Sequence, residues 1–265
     1  MNSYYSQENH GPFEQSIIGD LVLENGGDLR NCTLAYSAHG QLNADKSNAI
    51  LILTWYSGTS KILVDNYVGS GRALDPEKYF VLIVNQIGSG LSTSPNNYSA
   101  TSTEPDFPAI TIGDDVRAQH RLVTQTFGIE RFALVVGASM GAQQAYEWAV
   151  RYPEMVLRLA CIAGTARTTS YVAFIADAMN AAIKADPGWN NGRYASPAEV
   201  SEGLRQQARL WSLLGFSSEF FDKRAWMDVG YASAHEAMVG LLETETLLMD
   251  PNCCLLYTSP SPRDS

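Results

Sequence analysis

The sequence predicts an α/β protein built on a mostly parallel sheet, and three observations carry that prediction. As far as about residue 165, short apolar runs rich in β-formers alternate with segments of helical period. Three of the runs are nearly continuous in apolar residues, as strands covered on both faces should be. Beyond Arg167 the strand-like runs stop and helical patterns follow one another.

Strands are expected at 31–36 (NCTLAY), 49–55 (AILILTW), 79–85 (YFVLIVN), 132–138 (FALVVGA) and 158–163 (RLACIA). Between the third and fourth lies a loop rich in Gly, Ser, Pro and Asn. A helix follows it, with Val116, Val123 and Phe127 on one face. Asp114 and Asp115 near its start suit the positive end of a helix dipole. After the fourth strand, Gly141, Ala145, Trp148, Ala149 and Tyr152 recur at helical spacing and define one buried face. Helices are then expected at 170–185, 197–214 and 232–249. The predicted organisation is a core over 1–166 and a helical insertion over 167–250. The stretch 255–265 (LLYTSPSPRDS) has two Ser-Pro steps and no period. It resembles translated adaptor sequence, so it is expected to be a non-native tail beyond Cys254.

With 18 Lys and Arg against 28 Asp and Glu, the chain carries a formal charge of −10. That excludes a general nucleic-acid binder, which needs a basic face to displace counterions. No run approaches the ~18 apolar residues of a membrane span, and the N-terminus has neither a charged nor an apolar leader region. A soluble, non-secreted, cytoplasmic protein is expected. Cys32, Cys161, Cys253 and Cys254 have no metal-site or disulfide-framework spacing, so they read as reduced and no metal is expected.

The chemistry centres on Gly137-Ala138-Ser139-Met140-Gly141, a G-x-S-x-G between a predicted strand and a predicted helix. A nucleophile held on such a strained turn needs small residues on both sides, because the chain passes close to its neighbours. An idle serine in a Gly-rich turn is the bland alternative, and the flanking strand and helix argue against it. Acyl transfer also needs two N–H donors aimed at the developing oxyanion. Met140, directly after the serine, supplies one. The loop Thr54-Trp55-Tyr56-Ser57-Gly58-Thr59 is the natural source of the other, with Tyr56 as donor, although it also reads as an ordinary Ser-Gly turn. Gly88-Ser89-Gly90 is too weak a signal for a phosphate cradle, and Glu243 and Glu245 read as a solvated helix face.

At these residues the chain resembles the α/β-hydrolase-fold acyltransferases of the homoserine O-acetyltransferase type. The resemblance runs from about Asn48 to Asn252. It rests on TWYSGT, VNQIGSGLSTSP, FPAITIGDDVRAQHRLV, FGIERFALVVGASMGAQQAYEWAVRYP, IKADPGWNNGRY and GLRQQARLW. It implies an α/β-hydrolase fold in which Ser139 takes an acetyl group from acetyl-CoA as co-substrate and passes it to a hydroxyl acceptor, with no other cofactor. The helical insertion would be a lid forming the substrate tunnel and a homodimer contact. Arg209 matches an arginine that holds the amino-acid substrate. Three departures stand beside it. The chain has Ser139-Met140-Gly141-Ala142 where those enzymes usually have Ser-Met-Gly-Gly. The loop after 79–85 lacks their Gly-Cys and Gly-Pro pattern, and Phe216 stands where a tyrosine is expected.

A serine nucleophile needs a general base, and the base an orienting carboxylate. Of His10, His39, His120 and His235, only His235 follows Ser139; it could be paired with Asp222 or Asp228 but sits within a helical pattern. It reads as a solvated helical histidine, while His39 and His120 read as a turn and a helix face. The triad Asp and His are therefore expected in C-terminal strands and loops that this chain lacks, leaving it poorly active. An acetyltransferase is the expected function. The alternatives are a carboxylic-ester hydrolase of the same fold and, in another class, a non-catalytic ligand-binding member.

Overall fold

The computed structural model describes residues 3–98 and 107–255. Its contacts divide the chain into two compact units, one spanning Ser3–Arg167 and the other beginning at Thr168. The predicted tail lies outside the described residues from position 256 onward.

The first unit is an α/β layer structure. Its strands are β1 (Glu14–Val22), β2 (Asp28–His39), β3 (Ala49–Leu53), β4 (Phe80–Val84), β5 (Leu134–Ala138) and β6 (Leu159–Ile162). They form one sheet in the order β1-β2-β4-β3-β5-β6. β4, β3, β5 and β6 run parallel, while β2 pairs antiparallel with both β1 and β4. All five residues of β3 and of β4 are buried, which explains their unbroken apolar character. The helices are α1 (Gln7–His10), α2 (Ser60–Tyr67), α3 (Ile112–Gln125) and α4 (Met140–Arg151). On one face Ile50, Ile52, Val81 and Ile83 pack with Leu63 of α2.

The sequence predicts no strand before residue 31, and here the structure differs. β1 is broken by Gly19 at φ 82°, and the β1–β2 register shifts on both sides of it, so its alternation is interrupted at mid-strand. β2 is twice the expected length, and His39 closes that strand immediately before the turn at Gly40. Trp55, Asn85 and Phe132, placed in strands by the sequence, lie just outside them.

α3 starts with a capping box: the Thr111 hydroxyl accepts from the Asp114 N–H, and the Asp114 carboxylate accepts from the Thr111 N–H. Asp114 and Asp115 are wholly buried, a stronger role than a dipole contact. Asp114 also receives the Glu24 N–H at 2.9 Å and the Arg117 guanidinium, while Asp115 accepts the Ile87 N–H at 3.1 Å. Phe127 lies past the end of the helix, in edge contact with Tyr36.

The second unit is helical among its described residues. α5 (Ser170–Ala185) and α6 (Ser201–Gly215) pack together, and Gly203 lets the backbones meet, because a Cβ there would lie 3.0 Å from the Cα of Ile183. Asp186 turns the corner between them, accepting the N–H of Gly188 at 2.9 Å and of Gly203 at 2.8 Å. The expected helix at 197–214 begins as a 3-10 turn, Pro197–Val200. After α7 (Ser218–Asp222), the expected helix at 232–249 is three pieces: α8 (Ala234–Met238), a π-helical stretch Val239–Glu243 and α9 (Thr244–Thr246). Hydrophobic spacing cannot register the extra residue of a π turn.

Candidate active site

The chain passes from β3 through α2 to β4 on one side, then crosses back to β5 on the other. The carboxyl ends of β3 and β5 therefore flank a topological switch point, where open α/β sheets form their ligand crevice. Ser139 follows β5 at this point, and Thr54-Trp55-Tyr56 follows β3.

Ser139 is half-buried and adopts φ 53°, ψ −119°, with no capping bond from its side chain. Such a backbone costs about 1–3 kcal/mol and persists only when its surroundings impose it. The Ser139 N–H is held by the Ile162 carbonyl of β6 at 2.9 Å, and its own carbonyl accepts the Ala142 N–H at 3.0 Å. The two motif glycines are needed for space. A Cβ on Gly137 would strike the Gly141 carbonyl, and a Cβ on Gly141 would strike the Leu53 carbonyl at the end of β3. A third close approach, not read from the sequence, is Gly164: a Cβ there would fall 2.5 Å from both the Ser139 oxygen and the Ala142 Cβ.

Met140 is the first residue of α4, so its N–H is among those that a helix cannot satisfy internally, at the positive end of the dipole. Tyr56 lies in a tight turn closed by the Gly58 N–H bonding the Trp55 carbonyl at 3.0 Å. Gly58 is required there, since a Cβ would lie 2.7 Å from the Trp55 indole. Beneath the crevice runs a wholly buried row of side-chain amides. Trp148 Nε1 donates to Gln119 Oε1 at 2.7 Å, Gln119 Nε2 to Gln144 Oε1 at 2.6 Å, and Gln144 Nε2 to Gln86 Oε1 at 2.6 Å. Gln144 Nε2 also reaches the Thr54 carbonyl at 3.1 Å, and Gln86 Nε2 the Trp55 carbonyl at 3.4 Å. No sequence motif marks these residues. Gln144 lies three positions beyond Gly141 on the same helix face, and a polar residue on that apolar face is the signal available in the sequence.

The first unit thus brings together Ser139, Met140 and the Tyr56 loop; Arg209 and His235 belong to the second. Arg209 Nε donates to Glu243 Oε1 at 3.0 Å, with Arg205 3.9 Å from the other carboxylate oxygen. Glu243 is 4% exposed, so its reading as part of a solvated face is corrected: one buried carboxylate joins α6 to the π turn. Glu245 is exposed. Phe216 stacks on Phe220 at 4.4 Å beside Phe221 and Trp226, an apolar cluster that explains a phenylalanine at that position. His235 is exposed on α8, and His120 stacks on Tyr152 at 4.0 Å. Among the described residues no group of three or more His, Cys, Asp or Glu side chains is arranged to hold a metal, and no helix is long and apolar enough to cross a membrane.

A family model described as alpha/beta hydrolase fold matches residues 58–247. The ethyl acetate hydrolase of Pseudomonas veronii is 52% identical over 252 residues, covering 95% of this chain and 72% of its own. The crystal structure of an acetylester hydrolase from Corynebacterium glutamicum superposes with a TM-score of 0.94 at 48% identity, covering 97% of this chain and 74% of that one. The homoserine O-acetyltransferase of Desulfotalea psychrophila is 37% identical over 206 residues, covering 71% of this chain and 53% of its own. The likeness to ester hydrolases is higher in identity and extends over more of the chain. It overturns the expectation of a homoserine-type acetyltransferase, and the departures at Ala142 and Phe216 fall on the same side.

Proposed function

The chain belongs to the alpha/beta hydrolase fold family, and from that premise we propose that it is a carboxylic-ester hydrolase acting on esters of short acids, acetate above all. The substrate class is supported by the relatives named as ethyl acetate and acetylester hydrolases. The observation that carries the reading is Ser139, held in a strained turn at the switch point and directly before a helix N-terminus.

In this reading the Ser139 hydroxyl oxygen attacks the ester carbonyl carbon, and the backbone N–H groups of Met140 and Tyr56 receive the oxyanion. Collapse of the tetrahedral intermediate expels the alcohol and leaves an acyl group on Ser139, which water removes. No cofactor is required, since the substrate carries its own activated acyl group. The proton leaving Ser139 ends on the departing alcohol, and the water that removes the acyl group as the free acid returns one to Ser139.

The test is acylation. With p-nitrophenyl acetate the chain should release nitrophenol and carry an acetyl group on Ser139, located by peptide mass spectrometry. Ser139→Ala should abolish that acetylation and slow the release. Release should be indifferent to added homoserine. Equal acetylation of the alanine variant, or acetyl transfer from acetyl-CoA to homoserine, would reverse the proposal.

A further inference from the structure

The row of buried amides has a direction. An indole N–H can only donate and a backbone carbonyl can only accept, so Trp148 at one end and Trp55 at the other fix which way every glutamine between them is turned. Gln119, Gln144 and Gln86 each offer an oxygen towards Trp148 and a nitrogen towards the Trp55 loop. The last acceptor matters because the Trp55 carbonyl shares one planar trans peptide with the Tyr56 N–H. Both bonds lie in that plane and point in opposite directions, so a group that fixes the carbonyl also aims the N–H.

We propose that Gln86 and Gln144 are positioning residues for the oxyanion donor of Tyr56, tying it through two buried amides to the helix that supplies the other donor. This rests on the esterase reading above. Gln144 is carried by α4, whose first residue is Met140, and it bonds both the Thr54 carbonyl and Gln86. Gln86 bonds the Trp55 carbonyl, and its own N–H is held by Thr54 Oγ1 at 3.2 Å. The two halves of the oxyanion site, on loops about 85 residues apart in sequence, therefore share one hydrogen-bonded frame.

The experiment follows the Tyr56 amide by NMR in the isotopically labelled full chain. Gln86→Met and Gln144→Met should each shift the Tyr56 amide resonance and speed its hydrogen exchange by about tenfold, with the amides at the centre of β3 unchanged. Gln144 reaches the loop both through Gln86 and directly at the Thr54 carbonyl, so the two positions share one frame and the double variant should move the Tyr56 amide by less than the sum of the two single variants. Gln119→Met, one bond further away, carries the test if either variant unfolds. An unmoved Tyr56 amide in Gln144→Met, or effects that simply add, overturns the positioning role. Acetylation of Ser139 on the same samples keeps the two ideas apart. An unreactive parent chain overturns the esterase reading while the NMR result still decides positioning. A reactive parent with equally reactive variants, despite a displaced Tyr56 amide, overturns the oxyanion role given to Tyr56.

Discussion

Ser139 keeps a backbone conformation that a glycine would adopt at lower cost, and its hydroxyl gives nothing to the helix it precedes. Ser139→Gly should therefore stabilise the fold by about 1 kcal/mol, raising the melting temperature by roughly 2–4 °C, while esterase activity disappears. A lower melting temperature would show that the turn is unstrained. Gly141→Ala should act the other way. Its methyl group meets the Leu53 carbonyl, which cannot move without disturbing β3, so a loss of about 1–3 kcal/mol is expected in denaturant titrations. At this scale the sequence was informative where chemistry leaves a pattern: the G-x-S-x-G names the serine and the two glycines it needs. Gly164 carries no such mark, because its need for space arises only when β6 lies beside the turn.

Between elements, the strongest tie in the first unit is Asp114, which caps α3, holds the Glu24 N–H of the β1–β2 turn and pairs with Arg117. Asp114→Ala leaves those donors and a guanidinium without their acceptor, at a cost of roughly 3–5 kcal/mol by chemical denaturation. A loss below ~1 kcal/mol would mean that water replaces the carboxylate. The sequence placed Asp114 at a helix start but could not show its burial, which depends on Glu24, some 90 residues earlier in the chain. The same limit applies to helices. Spacing found α5 to the residue and the C-terminal end of α6, because each presents one apolar stripe to the other, but it took the 3-10 turn at 197–200 for the start of α6. It ran α8 and α9 together, since the π turn between them keeps an apolar character while changing the period.

For the molecule as a whole, two features set its response to conditions. Arg167 is exposed, outside regular structure and at the boundary between the units, so limited trypsin should cut there early and yield a fragment ending at residue 167. First cuts within α5 or α6 would refute that. Burial holds the imidazoles of His39 and His120 below their ordinary range. The unfolded chain takes up those protons near pH ~6.5 while the folded chain resists them, so stability is full above that pH and declines as pH falls below it. Melting temperature should drop between pH ~7.5 and ~5.5, and drop less in His39→Gln combined with His120→Phe. The buried glutamines have a further consequence in terms of mutational access. A single base change converts a glutamine codon to glutamate, lysine, arginine, leucine, proline or histidine. The first three would put a charge in a site with no solvent, and leucine and proline break the chain of donors and acceptors. Only histidine, as a neutral ring, keeps one donor and one acceptor, on a shorter and stiffer frame. Positions 86, 119 and 144 are thus each nearly closed to drift by the other two, and a saturation library selected for ester hydrolysis should leave these three interior positions less varied than the apolar residues packed around them.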